Sequence, residues 1–346
     1  MTISHQSQSQ LSPSATRGRG YCLITACRDE AEYARATLES VVGQTIQPAL
    51  WIIVDDGSKD QTPAILDEYA EKFPFIKVIH RPDRGVRSVG PGVVDAFYVG
   101  YNAIAPALFD YICKFDLDLE IPPVYFETMI NKMESDPRLG TCSGKPYFRQ
   151  GSKLISEACG DEMSVGMIKF YRTACFQQIG GFVREVMWDG IDCHRCRMLG
   201  WIAASWDSPE IRFIHLRPMG ASHKGLSTGR LRHGFGQYFM GTGLVYMTVS
   251  AIYRMTRPPL ISGGLAMWWG YFRSMLQRKP RYEDSVFRKA LHRYQWECLL
   301  LGKARATKLA NMRGAAVWGS PAQANGALRI NLSTNAPPTT NPSPTR

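Results

Sequence analysis

The feature that most constrains this chain is an alternation. Between residues 21 and 135, short apolar runs take turns with segments whose apolar positions recur at helical spacing. "YCLITA" (21–26), "LWIIV" (50–54), "IKVIH" (76–80) and "YICKF" (111–115) predict strands. "EAEYARATLESVV" (30–42), "TPAILDEYAEKF" (62–73), "GVVDAFYVGYNAI" (92–104) and "PVYFETMINKMES" (123–135) predict helices, with Pro63 near a helix start where proline is tolerated. This order predicts a parallel, doubly wound sheet, whose ligands lie beyond the carboxyl ends of the strands. Residues 142–210 are less patterned and predict mixed structure.

Acidic residues gather where such a sheet would hold a ligand. "WIIVDDGSKDQT" ends the second strand on Asp55 and Asp56, and "KFDLDLEIPP" follows the fourth with Asp116 and Asp118. A turn with a helix cap accounts for the first group, and solvated charge for the second. Carboxylates at strand ends also accept hydrogen bonds from a nucleobase or ribose, and two at i, i+2 suit a hard divalent cation. A third cluster, "EVMWDGIDCHRCRMLGW" (185–201), carries Asp189 and Asp192. Both suit a helix N-terminus through the dipole, and either could act as a general base.

Charge divides the chain. From Ile211 to Arg313, 18 Lys and Arg face three acidic residues, an excess of +15 in a chain of net charge +11, so the remainder is near −4. Such a region suits anionic lipid, nucleic acid or a phosphorylated substrate. Its aromatics fall in two apolar segments, "FGQYFMGTGLVYMTVSAIY" and "LISGGLAMWWGYFRSML", separated by "RMTRPP", and not among the basic residues. That is a poor platform for stacking bases, so no nucleic-acid partner is expected. "RYEDSVFRKALHRYQWECLLLGKARATKL" (281–309) predicts a basic amphipathic helix. No run of 18 residues is free of polar interruption, which argues against a transmembrane helix. The polar start lacks a signal-peptide core, so a cytoplasmic location is expected. The nine scattered cysteines then read as free thiols, and Cys193-x-x-Cys196, without a second pair at zinc spacing, as a helical coincidence.

Taken together, these segments resemble the family 2 glycosyltransferases, inverting enzymes of the glycosyltransferase A type. "YCLITACRDEAEYARATLESVVGQTI" (21–46) looks like the opening strand and helix, with Leu38, Ser40, Val41 and Gln44 in the L-x-S-V-x-x-Q element. "WIIVDDGSKDQT" is similar to the nucleotide-binding strand, "FDLDLEIPP" to the D-x-D, and "IGGFVREVMWDGIDCHRCRMLGW" to the Gly-Gly-Phe segment with its acidic base. The resemblance covers about residues 20–220. It implies an α/β, Rossmann-like nucleotide-diphospho-sugar transferase (GT-A) fold with a C-terminal helical, membrane-associating extension. It places a catalytic domain at 20–233 (nucleotide-binding part 20–120, acceptor part 121–233), while composition predicts disordered tails at 1–19 (Ser, Gln) and 313–346 (Pro, Asn, Thr), and charge predicts a basic helical region at 234–312 that lies in a membrane interface or, as the alternative, packs on the catalytic domain.

By the same resemblance the chain is a glycosyltransferase (EC 2.4 type). Asp55, Asp56, Asp116, Thr25 and Arg28 would contact a nucleotide-sugar donor, a UDP-sugar in the first instance. Asp118 and Asp116 would bind Mn²⁺ or Mg²⁺, with His215 of "FIHLRP" as a candidate further ligand; His223 with Lys224 is an alternative. Arg230, Arg232 and His233 could clamp diphosphate or form a solvated face, and Trp188 and Trp201 could stack on sugar or pack in the core. The family's opening Asn is replaced by Cys27 and Arg28. In the base motif Gly190 stands where strict alignment from Asp192 puts the base, and a one-residue shift makes it Asp189, preferred here over Asp192. The Gln-x-x-Arg-Trp motif of processive synthases is absent, which favours transfer of a single sugar. The expected acceptor is a glycan or lipid-linked glycan met at the anionic inner face of the cell membrane, in exopolysaccharide or cell-surface glycan assembly. The alternatives are a sugar nucleotidyltransferase, disfavoured because "ITACRDE" lacks a Gly-rich phosphate loop, and a basic nucleic-acid- or membrane-binding protein with a degenerate transferase fold.

Overall fold

A computed structural model describes residues 19–83, 85, 90–217, 226–257 and 259–319. The alternation appears as predicted: β1 (Tyr21–Cys27), α1 (Ala31–Val42), β2 (Leu50–Asp55), α2 (Thr62–Lys72), β3 (Ile76–His80), α3 (Pro91–Asn102), β4 (Tyr111–Phe115), β5 (Leu119–Glu120) and α4 (Tyr125–Ser135). The mixed region contains β6 (Leu139–Ser143), β7 (Pro146–Gln150), β8 (Lys153–Ser156), β9 (Ile168–Arg172), α5 (Thr173–Gln178), α6 (Trp188–Met198), β10 (Ile202–Ser205) and β11 (Phe213–His215).

Among the described residues, seven strands form one sheet in the order β10-β6-β9-β4-β1-β2-β3. β1 pairs in parallel with β2 on one side and β4 on the other, so strand order reverses at β1 and opens a crevice beyond its carboxyl end. The sheet departs from the all-parallel expectation at β9, which lies antiparallel between β4 and β6. The strands of its centre are apolar on both faces because helices cover both, and Tyr21, Leu23, Trp51, Ile53, Ile112 and Phe115 are almost wholly buried.

A smaller sheet runs β5-β11-β7-β8. Its antiparallel β11–β5 pairing sets His215 opposite Leu119, and Leu216 N–H donates to the Asp118 carbonyl at 2.9 Å. A segment nearly a hundred residues downstream is thereby fixed beside the fourth strand's acidic pair.

The basic region is helical: α7 (Leu226–Met240), α8 (Leu244–Met255), α9 (Ser262–Leu276), α10 (Ser285–Leu301) and α11 (Lys303–Val317). Its first apolar segment is cut into α7 and α8 at Gly241, whose φ of +92° a helix cannot continue through. The single amphipathic helix expected at 281–309 is two, interrupted at Gly302. The expected boundary at 233/234 falls inside α7, and α11 runs past the expected start of the second tail. These helices pack on the α/β part: Phe287 and Tyr294 of α10 meet His194 of α6, and Trp318 packs edge-on against Trp201. Arg19, placed in the first tail by the sequence, is tied to Glu134 and Asn131. All nine cysteines are free thiols. No helix of the described residues is long and apolar enough to cross a membrane.

Candidate active site

The crevice at the ends of β1, β2 and β4 is a cavity of about 430 Å³. That is the size of an ordinary small-ligand site. Arg28, Asp56, Asp116, Asp118, Asp189 and His215 all line it, and they come from five segments separate in sequence. Arg232 and His233 of α7 close one side. His223 and Lys224 lie outside the described residues.

The second strand's acidic pair divides its labour. Asp55 points away from the cavity: it is buried, accepts from Ser58 N–H at 2.9 Å and bonds His80 Nδ1 at 3.0 Å. Its hydrogen bond to His80, joined by one from Asp67, raises the imidazole's pKa. Asp56 faces the cavity and accepts from Arg81 at 2.8 Å. The rest of "DGSKDQT" joins turns: Ser58 Oγ accepts from Asp29 N–H, and Asp60 accepts from the N–H groups of both Ala31 and Thr62. Gly57 has φ +76°, and a Cβ there would stand 2.5 Å from Asp83 Cα. Asp83 in turn bonds Arg28 at 2.6 Å, so this turn also positions a cavity cation. Thr25, expected at the donor site, is fully buried, and its hydroxyl accepts from the Trp51 indole at 2.9 Å.

Asp118 is 5% exposed. Arg217 donates to its Oδ2 at 2.7 Å and to Glu30 at 3.0 Å, and His215 Nε2 is 3.5 Å from Oδ2. Burial opposes ionisation of Asp118, but His215 and Arg217 outweigh it and hold the carboxyl below its ordinary range. For His215, burial opposes charge, yet hydrogen bonds to Asp118 and Glu157 raise it to about 9. Asp116 is paired with Lys114, whose ammonium also donates to the Gly166 carbonyl at 2.8 Å.

A divalent cation fits part of this set. Asp118 Oδ1 is buried and accepts no hydrogen bond among the described residues, the condition of an oxygen ready for a hard cation. No three His, Cys, Asp or Glu side chains among the described residues are spaced to hold a metal by themselves. Were a cation bound here, Asp118 would be the chain's own ligand with His215 beside it, and substrate would have to supply the rest.

Asp189 and Asp192 separate completely. Met187, at φ +67°, turns the chain into α6 and presents Trp188 and Asp189 to the cavity. The Asp189 carboxylate abuts Gly166, where a Cβ would come within 2.7 Å of its Oδ2. Asp192 is 1% exposed and sits in the core against Lys169 at 2.6 Å, with Tyr171 O–H and Cys193 N–H also donating to it. A carboxylate so enclosed meets no acceptor, so the structure leaves Asp192 outside the site. Trp188 lines the cavity with the ammonium groups of Lys114 and Lys169 over its ring at 5.3 and 5.7 Å, whereas Trp201 is core.

Sequence reasoning missed Glu30, Lys114, Glu157 and Arg217. Two carried a local signal: Lys114 is two residues before Asp116, and Arg217 two after His215. Glu157 carried none.

Residues 22–90 match the family model described as Glycosyl transferase family 2. The chain is 29% identical over 167 residues to the putative glycosyltransferase EpsH of Bacillus subtilis (strain 168), covering 48% of this chain and 45% of that protein. It is 27% identical over 157 residues to the poly-beta-1,6-N-acetyl-D-glucosamine synthase of Staphylococcus aureus (strain COL), covering 44% of this chain and 35% of that one. The chain thus spans less than half the length of these curated relatives. Among solved structures, GalNAc-T7 with UDP, GalNAc and Mn²⁺ superposes with a TM-score of 0.55 at 12% identity, covering 85% of this chain and 58% of that one, a likeness of fold. Residues 22–90 are thus similar to glycosyl transferase family 2, and the fold is of the glycosyltransferase A type.

Proposed function

We propose that this chain is a metal-dependent, inverting glycosyltransferase that moves one sugar from a nucleotide sugar to an acceptor hydroxyl in exopolysaccharide or cell-surface glycan synthesis. The observation that carries the reading is the convergence of Asp56, Asp116, Asp118 and Asp189 on one cavity at the switch point of the sheet. UDP-sugars are the first donors to test, and the UDP and Mn²⁺ named with the GalNAc-T7 structure support that choice.

In this reading Asp56 accepts hydrogen bonds from the nucleoside, and Arg28, Arg217 and Arg232 face the diphosphate. Mn²⁺ or Mg²⁺ held by Asp118 and His215, beside Asp116, would offset the charge gathering on the departing diphosphate. His215 must give up its proton to serve as a ligand, so cation affinity should rise with pH. Asp189 takes the proton from the acceptor hydroxyl as its oxygen bonds the anomeric carbon. The bond from that carbon to the diphosphate oxygen breaks, and its electron pair leaves with the nucleoside diphosphate. Asp192 acts only through Lys169, which donates to the Asp189 carbonyl at 2.8 Å. We take the acceptor to be a glycan or lipid-linked glycan at the anionic, cytoplasmic face of the cell membrane.

The test is a donor screen with Mn²⁺ or Mg²⁺, read by thermal shift and sugar-nucleotide hydrolysis. No response to any nucleotide sugar would remove the reading.

A further inference from the structure

We infer that the exposed apolar face of the α8–α9 hairpin is a docking surface for an anionic lipid bilayer, entering the headgroup region without crossing it. The inference rests on the proposed acceptor at a membrane and names the surface that would bring the enzyme there.

On α8, Val245, Val249 and Ile252 recur at i, i+4 and i+7 and are 52%, 45% and 57% exposed. On α9, Leu265 and Trp269 are half exposed at i, i+4, and Ile261 stands at the tip just before the helix at 62%. The two stripes join where Trp268 Nε1 of α9 reaches Thr248 Oγ1 of α8 at 3.4 Å. Single exposed apolar side chains are ordinary, but a continuous face across two helices marks an interaction site.

The face cannot turn inward, because the opposite sides are taken. A Cβ at Gly264 would lie 2.4 Å from the Ala251 carbonyl oxygen, and one at Gly270 2.2 Å from that of Leu231. These close approaches lock α9 between α8 and α7.

Charge selects the occupant. The chain has no Asp or Glu from residue 211 to residue 282, while Arg254, Arg257, Arg273, Arg278, Lys279 and Arg281 flank the hairpin. An apolar face on a segment whose own charges are all cationic suits anionic lipid, whereas a second copy would bring two cationic segments together. Length sets the depth. α8 and α9 have 12 and 15 residues, roughly 18 and 22 Å at 1.5 Å each, short of a hydrocarbon core of about 30 Å. The hairpin therefore lies in the interface plane. α7, which packs on α9 through Leu231, lines the cavity with Arg232 and His233, so the lipid face is one helix layer from the site.

The experiment is flotation of the full chain on phosphatidylcholine vesicles with and without phosphatidylglycerol. The chain is expected to float with phosphatidylglycerol vesicles, and Ile252→Glu/Leu265→Glu to lose about tenfold or more of that binding. Thermal stabilisation by UDP and Mn²⁺ should be unchanged in the variant. Arg257→Gln/Arg278→Gln/Lys279→Gln, which leaves the apolar face intact, should bind more weakly and with a shallower salt dependence. The inference is overturned if the wild-type chain ignores anionic vesicles, or if the glutamate variant floats as well as wild type. It is also overturned if light scattering shows a dimer that the glutamate variant dissociates while vesicles bind neither. Vesicle binding with no response to any nucleotide sugar would remove the proposed reaction and leave the docking surface standing.

Discussion

Asp192→Asn takes one charge from a pair in which neither partner reaches solvent: the Lys169 and Asp192 side chains are 0% and 1% exposed. Burial works against the Lys169 charge, but Asp192 above all, with Cys193 and Asp189 behind it, raises its pKa above the ordinary range, so the ammonium depends chiefly on this carboxylate. Breaking a buried pair from one side leaves an uncompensated charge and costs about 3–5 kcal/mol. At roughly 2–4 °C per kcal/mol for a domain of this size, the melting temperature should fall by roughly 6–20 °C. Lys169→Met/Asp192→Leu removes both charges and should recover most of the loss, since apolar replacement of a buried pair is often neutral. Circular dichroism melts of wild type, Asp192→Asn and Lys169→Met/Asp192→Leu measure the loss and its recovery, with transfer activity assayed below each transition. If Asp192→Asn melts within about 2 °C of wild type yet loses transfer more than about a hundredfold, then Asp192 meets substrate and its assignment as a core residue is wrong.

Asp189→Asn should show the reverse: an unchanged melt and retained donor binding, with transfer reduced about 10²- to 10⁴-fold, as read by nucleotide release with and without acceptor. Asp118→Asn should weaken Mn²⁺-dependent donor binding in calorimetric titrations while leaving metal-free nucleotide binding nearly intact. Gly57→Ala should destabilise by about 1–3 kcal/mol, because it places a Cβ against Asp83 in a left-handed turn; an unchanged urea midpoint would refute that. His194 is held neutral, at about 3, by burial and by the nearby cations Arg197 and Lys303. The unfolded chain therefore binds the proton first as pH falls below about 6.5. The native state should lose about 2 kcal/mol between pH 7 and pH 5 through this residue, a loss that His194→Phe should abolish in paired denaturant titrations.

Much of the α/β half was legible because its signals are local. A strand buried on both faces must be apolar along its length, and a helix covering a sheet must repeat its apolar positions every three to four residues. β1 to β4 and α1 to α4 follow from those patterns within two residues. The antiparallel β9 was not legible: "IKFYR" looks the same in either direction, and its place between β4 and β6 is set by partners elsewhere in the chain. The helical breaks at Gly241 and Gly302 escaped because glycine within an apolar or basic run is not by itself a stop.

The candidate site divides in the same way. That carboxylates gather beyond strands two and four is readable, but which member of each pair meets a ligand is not. Asp55 and Asp56 are neighbours on a strand end, and Asp189 and Asp192 are one turn apart on a helix. The deciding partners, His80 for Asp55 and Lys169 for Asp192, come from other strands.

By itself, then, the sequence determined the α/β alternation, the strand ends at which acids collect, and the wholly basic stretch from 211 to 282. Only the tertiary structure decided that Asp56 and Asp189 face the cavity while Asp55 and Asp192 are held in the core. It alone brought His215 and Arg217 to Asp118 through the β11–β5 pairing, and turned one apolar stripe of α8 and α9 outward. The reason is one of range: backbone periodicity is written in nearest neighbours, whereas the exposure and pairing of a charge depend on side chains that folding brings from far along the chain.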